Sequence, residues 1–250
     1  MKFLTTNQVE SFDSITVASG DASKAYIYDR NFATKWLSVG SDDTTTETIE
    51  IIFALAKTID RISLINHNLK EFDIQYWNGS AYVDFSTAID ETTNTSTNDF
   101  YSFTSVSTLK IKLSATKTGV VDAQKYLSQL LAYAEHFDIP DNLMPDSEDL
   151  TLYYKEIEHE LSDGGSLVVV EATKPKYRNV FSFSGLPLTY RNYLYTLKNT
   201  HQSFWLIPFD DTILDQYFCN MTDIKFNKVA VWNPADGERC YAGGIEVKET

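Results

Sequence analysis

The residues best able to do chemistry are His67, in "INHNLK", and three adjacent acid pairs, Asp42-Asp43, Glu148-Asp149 and Asp210-Asp211. Histidine titrates near neutrality and ligates metals, so His67 between two asparagines invites a catalytic or metal-binding reading. A metal site needs partners, and His136, His159 and His201 stand at no matched spacing, with no HExxH. A serine hydrolase of the G-x-S-x-G type lacks its motif here. His67 therefore reads as a structural hydrogen bond at a strand end. A glycosidase needs two carboxylates about 5–9.5 Å apart in a cleft. Adjacent pairs in the polar loops of an acidic chain read instead as solvated surface. The expectation is a protein with no catalytic residue, not an enzyme.

Binding chemistry is better represented. Trp36 precedes "LSVGSDDTTTE", where Asp42, Asp43 and backbone carbonyls could coordinate Ca2+. The same loop could hold a sugar against an aromatic face, or Trp36 could be a buried plug. With Trp77 and Tyr82, these residues are the candidates for docking on a glycan. The stretch "KYRNVFSFSGLPLTYRNYLYTLKNTHQSFWLIPFDD" concentrates aromatics. Core packing and a protein–protein interface account for them better than base stacking, because aromatics are enriched where subunits meet. Tyr190, Tyr193, Phe204 and Trp205 are the assembly-interface candidates.

Those residues must be positioned by strands. In "TLKIKLS", Leu109, Ile111 and Leu113 point one way and Lys110 and Lys112 the other. "ETIEIIFAL" places Ile49, Ile51 and Phe53 opposite Glu50. Strands are expected at 14–19, 47–55, 61–66, 71–77, 81–86, 99–106 and 108–116, with one wet face, hence an antiparallel sheet. Asn78-Gly79 predicts a type I′ hairpin joining 71–77 to 80–86. Loops are expected at 38–47 and 94–99. "LSQLLAYAEHF" reads as the strand closing the first domain. Pro140, Pro145 and clustered acids mark a linker. Beyond it, strands meet across Asp163-Gly164-Gly165, and Leu188, Tyr190, Tyr193, Leu194 and Leu197 recur at helical spacing over 187–202. The fold class is mainly β: an N-terminal antiparallel β-sandwich (1–137), a linker (138–150), and a C-terminal β-rich α+β domain with one main helix (151–250).

The 250 residues suffice for two modest domains. With 15 Tyr and 15 Phe against 10 Gly and 6 Pro, the composition favours strands. A net charge of −14 opposes nucleic-acid binding and anionic membranes. Cys219 and Cys240 form no CxxC motif and read as two buried reduced thiols in a protein made in a cytoplasm. No signal peptide or membrane span is expected.

Two resemblances add to this. Residues 13–136 resemble a discoidin-type, galactose-binding-like jelly-roll, through Ala25, Asp29, Thr34 and Trp36, the "IEIIF" strand, "ISLINHN" and "FDIQYWNGSAYVDF". The family's bracketing cysteines are missing from this sequence. The second half, with "INHNLK", resembles structural proteins of tailed-bacteriophage tails. The resemblance implies a virion component, a tail or tail-tip structural protein, made in the host cytoplasm and forming an oligomer with other copies and other virion proteins. The alternative is a carbohydrate-binding module docking on cell-surface glycan, with no cofactor or with Ca2+.

Overall fold

The structure is a computed structural model. It describes residues 1–40, 42–139, 147–153, 156–160, 166–170, 176–207, 217–232 and 239–249. The N-terminal strands are β1 (Lys2–Thr6), β2 (Phe12–Val17), β3 (Trp36–Leu37), β4 (Glu47–His67), β5 (Leu69–Trp77), β6 (Tyr82–Glu91), β7 (Asn98–Thr118) and β8 (Tyr126–Tyr133). They are followed by β9 (Glu135–Asp138), β10 (Ser147–Tyr153), β11 (Glu156–Glu160), β12 (Ser166–Val170) and β13 (Lys176–Leu186). Helix α1 (Leu188–Thr200), β14 (Phe204–Ile207), β15 (Tyr217–Trp232) and β16 (Arg239–Glu249) complete the described chain. The chain forms two compact units, one built on Leu4–His136, the other on Met1–Phe3 with the described residues of Phe137–Leu206 and Tyr217–Thr250.

The first unit is organised by β4 and β7, which run antiparallel from Glu47 opposite Ala115 to Ile65 opposite Asn98. Their register slips where Ile52 faces Lys110 and Lys57 faces Thr108, so four residues of β4 oppose the single Leu109. A bulge of this kind bends both strands. On one side of the bend, β2 flanks β4 and β5 flanks β7, with β6 outside β5. On the other side, β8 flanks β4, with β3 beside β8. The two layers of a jelly-roll sandwich thus share their middle strands. Alternation explains the core. Ile49, Ile51, Phe53, Ile111, Leu113 and Ala115 from one layer meet Ile62, Leu64, Leu127, Leu130 and Ala132 from the other.

Two expected breaks are absent. The strands expected at 47–55 and 61–66 are one strand, as are those at 99–106 and 108–116. Neither 53–60 nor 103–110 contains Gly or Pro, so nothing forces a turn and the bulge absorbs the change of direction. The expected hairpin forms, but Trp77 pairs with Tyr82, leaving a four-residue loop in place of a type I′ turn. Asn78 Oδ1 accepts from the amides of Ser80 (2.9 Å) and Ala81 (3.0 Å) and organises that loop from within. "LSQLLAYAEHF" forms β8 and β9, as expected.

The second unit carries a seven-stranded sheet in the order β10-β13-β16-β15-β14-β1-β9. Helix α1 packs on β15 and β16 through buried Leu194 and Leu197. Pro187 precedes its first turn and His201 ends it in the left-handed conformation. Met1–Phe3 belongs to this unit: the Ile139 amide donates to the Met1 carbonyl at 2.9 Å. Strand β10 reaches back to Ser147, inside the stretch read as a linker. β11 pairs with β12 as the Asp163-Gly164-Gly165 signal predicts; the turn itself lies outside the described residues. Cys219 stands opposite Glu249, nine residues along β16 from Cys240. That is roughly 30 Å of strand, far beyond disulfide reach, so both cysteines are free and buried. Among the described residues no helix is long and apolar enough to cross a membrane.

Candidate functional site

The outward face of the β2–β4–β7–β5–β6 layer brings two of the predicted binding residues together. On β5, Phe72 and Ile74 point into the core and Tyr76 packs against it. A strand alternates, so Asp73, Gln75 and Trp77 point out. Across β6, Tyr82 stands opposite Trp77 and Asp84 opposite Gln75. The Trp77 and Tyr82 rings, both half-buried, lie 5.3 Å apart at 68°. This edge-to-face arrangement is a favourable one for an aromatic pair.

The pair is braced by its neighbours. Lys110 and Lys112 of β7 stand over Trp77 and Tyr82, at 5.4 and 4.4 Å from the ring centroids. The Tyr82 hydroxyl donates to Glu50 of β4, which lies 3.9 Å from Lys110 Nζ. Partial burial, then the Glu50 contact, pushes the Tyr82 hydroxyl's pKa well up, so it remains a donor. Gln75 Nε2 donates to Asp84 Oδ1 at 2.9 Å. Burial raises the Asp73 carboxyl, and the nearby charges of Asp90 and Asp84 add to the rise. The result is a shallow aromatic surface edged by an ammonium pair, an amide and carboxylates. Such a surface can take the apolar C–H face of a sugar ring and hydrogen-bond its hydroxyls.

Asp42 and Asp43 lie elsewhere. Leu69 pairs with Thr118 and Tyr76 with Ile111, so seven residues, roughly 23 Å of strand, separate their end of the layer from the Trp77 end. Asp42 Oδ1 accepts from the Thr44 amide (2.9 Å), the Thr44 hydroxyl (2.8 Å) and the Thr45 amide (2.6 Å). These donors hold its carboxyl down at about 2. Asp43 Oδ1 accepts from the Thr118 amide at 3.1 Å. Desolvation opposes ionisation of Asp43, but the Thr118 and Asp122 donors and the Lys125 charge outweigh it, and its carboxyl stays below the usual range. Buried Lys125 places Nζ 2.6 Å from the Asp42 carbonyl oxygen. These carboxylates hold their own loop together. Among the described residues no group of three or more His, Cys, Asp or Glu could hold a metal.

Trp36 is core. It is 1% exposed, and its Nε1 donates to the Ser19 carbonyl at 3.0 Å. Being enclosed, it offers no stacking face, and the chain at Gly20 closes its N–H edge: a Cβ there would lie 2.9 Å from Nε1. His67 is likewise buried. Its Nδ1 accepts from the Leu69 amide at 3.2 Å, its ring packs edge-on against Phe72, and Nε2 lies 2.9 Å from Asp99 Oδ2, off the straight line of a hydrogen bond. His136 Nδ1 sits 2.6 Å from Arg61 Nη1, and the side chain of His159 lies outside the described residues. The Glu148-Asp149 side chains and the Asp210-Asp211 pair also lie outside them.

The assembly candidates are engaged inside the second unit. Phe204 and Trp205 are buried, against Phe3 and Phe218 respectively. Tyr193 stacks on Phe137 at 3.8 Å and 15°, and Tyr190 packs on the same ring at 5.2 Å. Phe204 and Trp205 thus serve as packing inside the unit, while Tyr190 and Tyr193 are half-buried.

Sequence reasoning missed Glu50, Gln75, Asp84, Lys110 and Lys112 as site residues. Alternation had already put Glu50 and both lysines on a wet face. Only the register of β4, β7, β5 and β6 shows that they meet Trp77 and Tyr82.

No family model and no curated protein matches the chain. Solved structures match about half of it. A chitosan-binding module 1 derived from a chitosanase/glucanase of Paenibacillus sp. IK-5 is 19% identical, with 52% of this chain and 99% of that chain covered and a TM-score of 0.44. Module 2 of the same enzyme, in complex with chitotriose, is 20% identical over 50% and 99%, with a TM-score of 0.43. A fucosidase of Ruminococcus gnavus in complex with fucose is 17% identical over 52% and 27%, with a TM-score of 0.42. These matches are carbohydrate-binding modules and a glycosidase chain, not phage-tail proteins. The expectation of a phage-tail protein finds no counterpart among these matches, and the virion reading is not carried forward.

Proposed function

We propose that this chain is a non-catalytic glycan-binding module, with Trp77 and Tyr82 as the surface on which a sugar ring lies. The observation that carries the reading is the braced aromatic pair. Two large rings stand half out of the sheet face, fixed by Lys110, Lys112 and Glu50, with donors and acceptors beside them. Fixed rings lose little entropy on binding, which favours a ligand that contacts them over a small area. The partner is a cell-surface or extracellular polysaccharide.

The reading requires no metal, so chelation leaves binding intact. Titration calorimetry against a panel of soluble oligosaccharides tests it. Saturable binding to at least one member is expected. Trp77→Ala removes a central aromatic anchor, for which about 2 kcal/mol, roughly 30-fold in affinity, is the expected loss. Absence of saturable binding to every member, or binding indifferent to Trp77→Ala and Tyr82→Ala alike, refutes it.

A further inference from the structure

Among the described residues, four large apolar side chains are more than 70% exposed: Val39 (78%), Val120 (73%), Val121 (75%) and Leu55 (76%). They sit at two opposite ends of the sandwich, and the Leu55 end adjoins the aromatic pair, sharing Lys110 and Lys112 with it. The three valines occupy two loops that are laced together. The Ser38 amide donates to the Lys125 carbonyl, and the Lys125 amide donates back to Ser38 Oγ, both at 3.0 Å. The Asp43 amide donates to Asp122 Oδ1 at 3.1 Å, and the Gly119 amide to the Asn68 carbonyl at 2.9 Å. Fixed loops hold these valines in water, and apolar groups gathered at one tip, in contrast to singly scattered ones, mark a contact surface. The segments 38–46 and 118–125 carry Asp42, Asp43 and Asp122, and their one lysine, Lys125, is buried beneath them.

At the other end, the β4 bulge exposes Ala54, Leu55 and Ala56 opposite Leu109, itself 43% exposed. The segments 53–57 and 108–112 carry Lys57, Lys110 and Lys112 and no acid. On the sheet face beside them, Glu50 accepts from Tyr82 and lies 3.9 Å from Lys110 Nζ, and Asp73 feels the Lys112 charge. One end is thus apolar with an acidic rim, the other apolar with a basic rim. Lys110 and Thr118 lie eight residues apart on β7, roughly 26 Å, so both ends can be occupied at once.

We propose that the valine tip of one copy of this chain seats on the leucine bulge of a second copy, in a head-to-tail contact. Charge complementarity selects the occupant: Asp42, Asp43 and Asp122 meet Lys57, Lys110 and Lys112, and the exposed aliphatic groups are covered in the same contact. The contact is heterologous, so it propagates into a ring or a filament. Each patch is small, so the association is weak and depends on concentration.

Sedimentation velocity of the full-length protein over a concentration series tests this. The mean mass of the wild type rises with concentration and rises less in high salt. Val120→Asp with Val121→Asp, and separately Leu55→Asp, lose the rise; circular dichroism confirms that both remain folded. Mixed in equal amounts, the two variants form a dimer and nothing larger, because one intact tip and one intact bulge remain between them. A wild type that stays monomeric throughout overturns the proposal. So does a mixture that stays monomeric while the wild type associates, because the contact is then symmetric or lies elsewhere. Anionic phospholipid vesicles are the control for a different occupant: a monomeric wild type that sediments with them only when Val120 and Val121 are intact assigns the tip to lipid.

Discussion

His67→Ala separates a structural histidine from a chemical one. The side chain is fully buried, and its Nδ1 is the acceptor for the Leu69 amide two residues on. Truncation leaves that amide without this acceptor, at about 1–3 kcal/mol. It also leaves a void beside Phe72 and Asp99, and large-to-small changes in cores cost about 2–5 kcal/mol. Overlap between the two effects makes about 3 kcal/mol a reasonable total, which lowers the melting temperature of a domain of this size by roughly 6–12 °C. His67→Asn keeps an oxygen acceptor near the Leu69 amide and recovers part of the loss. Urea unfolding followed by tryptophan fluorescence measures both, and calorimetry shows glycan affinity unchanged in the folded fraction. A stability loss below about 1 kcal/mol, or a specific loss of binding, would contradict the assignment.

Further consequences concern stability. Glu246 accepts from Arg178 Nη2 at 2.7 Å and from the Thr222 hydroxyl at 2.9 Å, and these contacts, Arg178 foremost, hold its carboxyl at about 2 against an ordinary 4.5. A depressed acid stabilises the fold above its unfolded value, so this contribution is complete above pH 4.5 and is lost as pH falls toward 2. Arg178 is 43% exposed, and screening limits the effect to about 1 kcal/mol; Glu246→Gln flattens the acid limb of a stability–pH curve, and an unchanged limb counts against the pairing. Gly20 adopts φ 72, and a Cβ there would lie 1.9 Å from the Leu37 carbonyl oxygen, so Gly20→Ala costs more than about 2 kcal/mol. Gly79 also has positive φ but open space around it, so Gly79→Ala costs only about 1 kcal/mol; equal losses in denaturant melts would undo the argument. Both cysteines are buried, and burial pushes the Cys219 thiol far up, so a thiol reagent labels neither in the folded protein and both after unfolding, and fast labelling of the native state would be the contrary result.

Much of the architecture was legible because alternation is a strong signal. Lys110 and Lys112 against Ile111 and Leu113 marked one wet face, and helical spacing marked α1. The hairpin was legible from Asn78-Gly79, although its loop type was not, because Asn78 caps a wider turn with its own side chain. The length of β4 and β7 was hidden. The bulge throws the apolar alternation out of phase between Phe53 and Ile62, so one bent strand looked like two. The allegiance of Met1–Phe3 was hidden as well, because pairing with Ile139 is a contact across almost the whole chain up to that residue. At the candidate site, Trp77 and Tyr82 could be named from the sequence as aromatics flanking a turn. Trp36 looked similar, and only its burial under Gly20 distinguishes it. Glu50, at the far end of three strand pairings from Tyr82, depends on tertiary register alone.

The central claim is that a sugar lies on Trp77 and Tyr82. The chain holds four tryptophans, whose indole N–H groups give separate signals in a nitrogen–proton correlation spectrum. Titrating a bound oligosaccharide should move the Trp77 signal in a saturable way and leave buried Trp36 and Trp205 in place. A titration that moves Trp36 and the amides of 38–45 while Trp77 stays still would contradict the account.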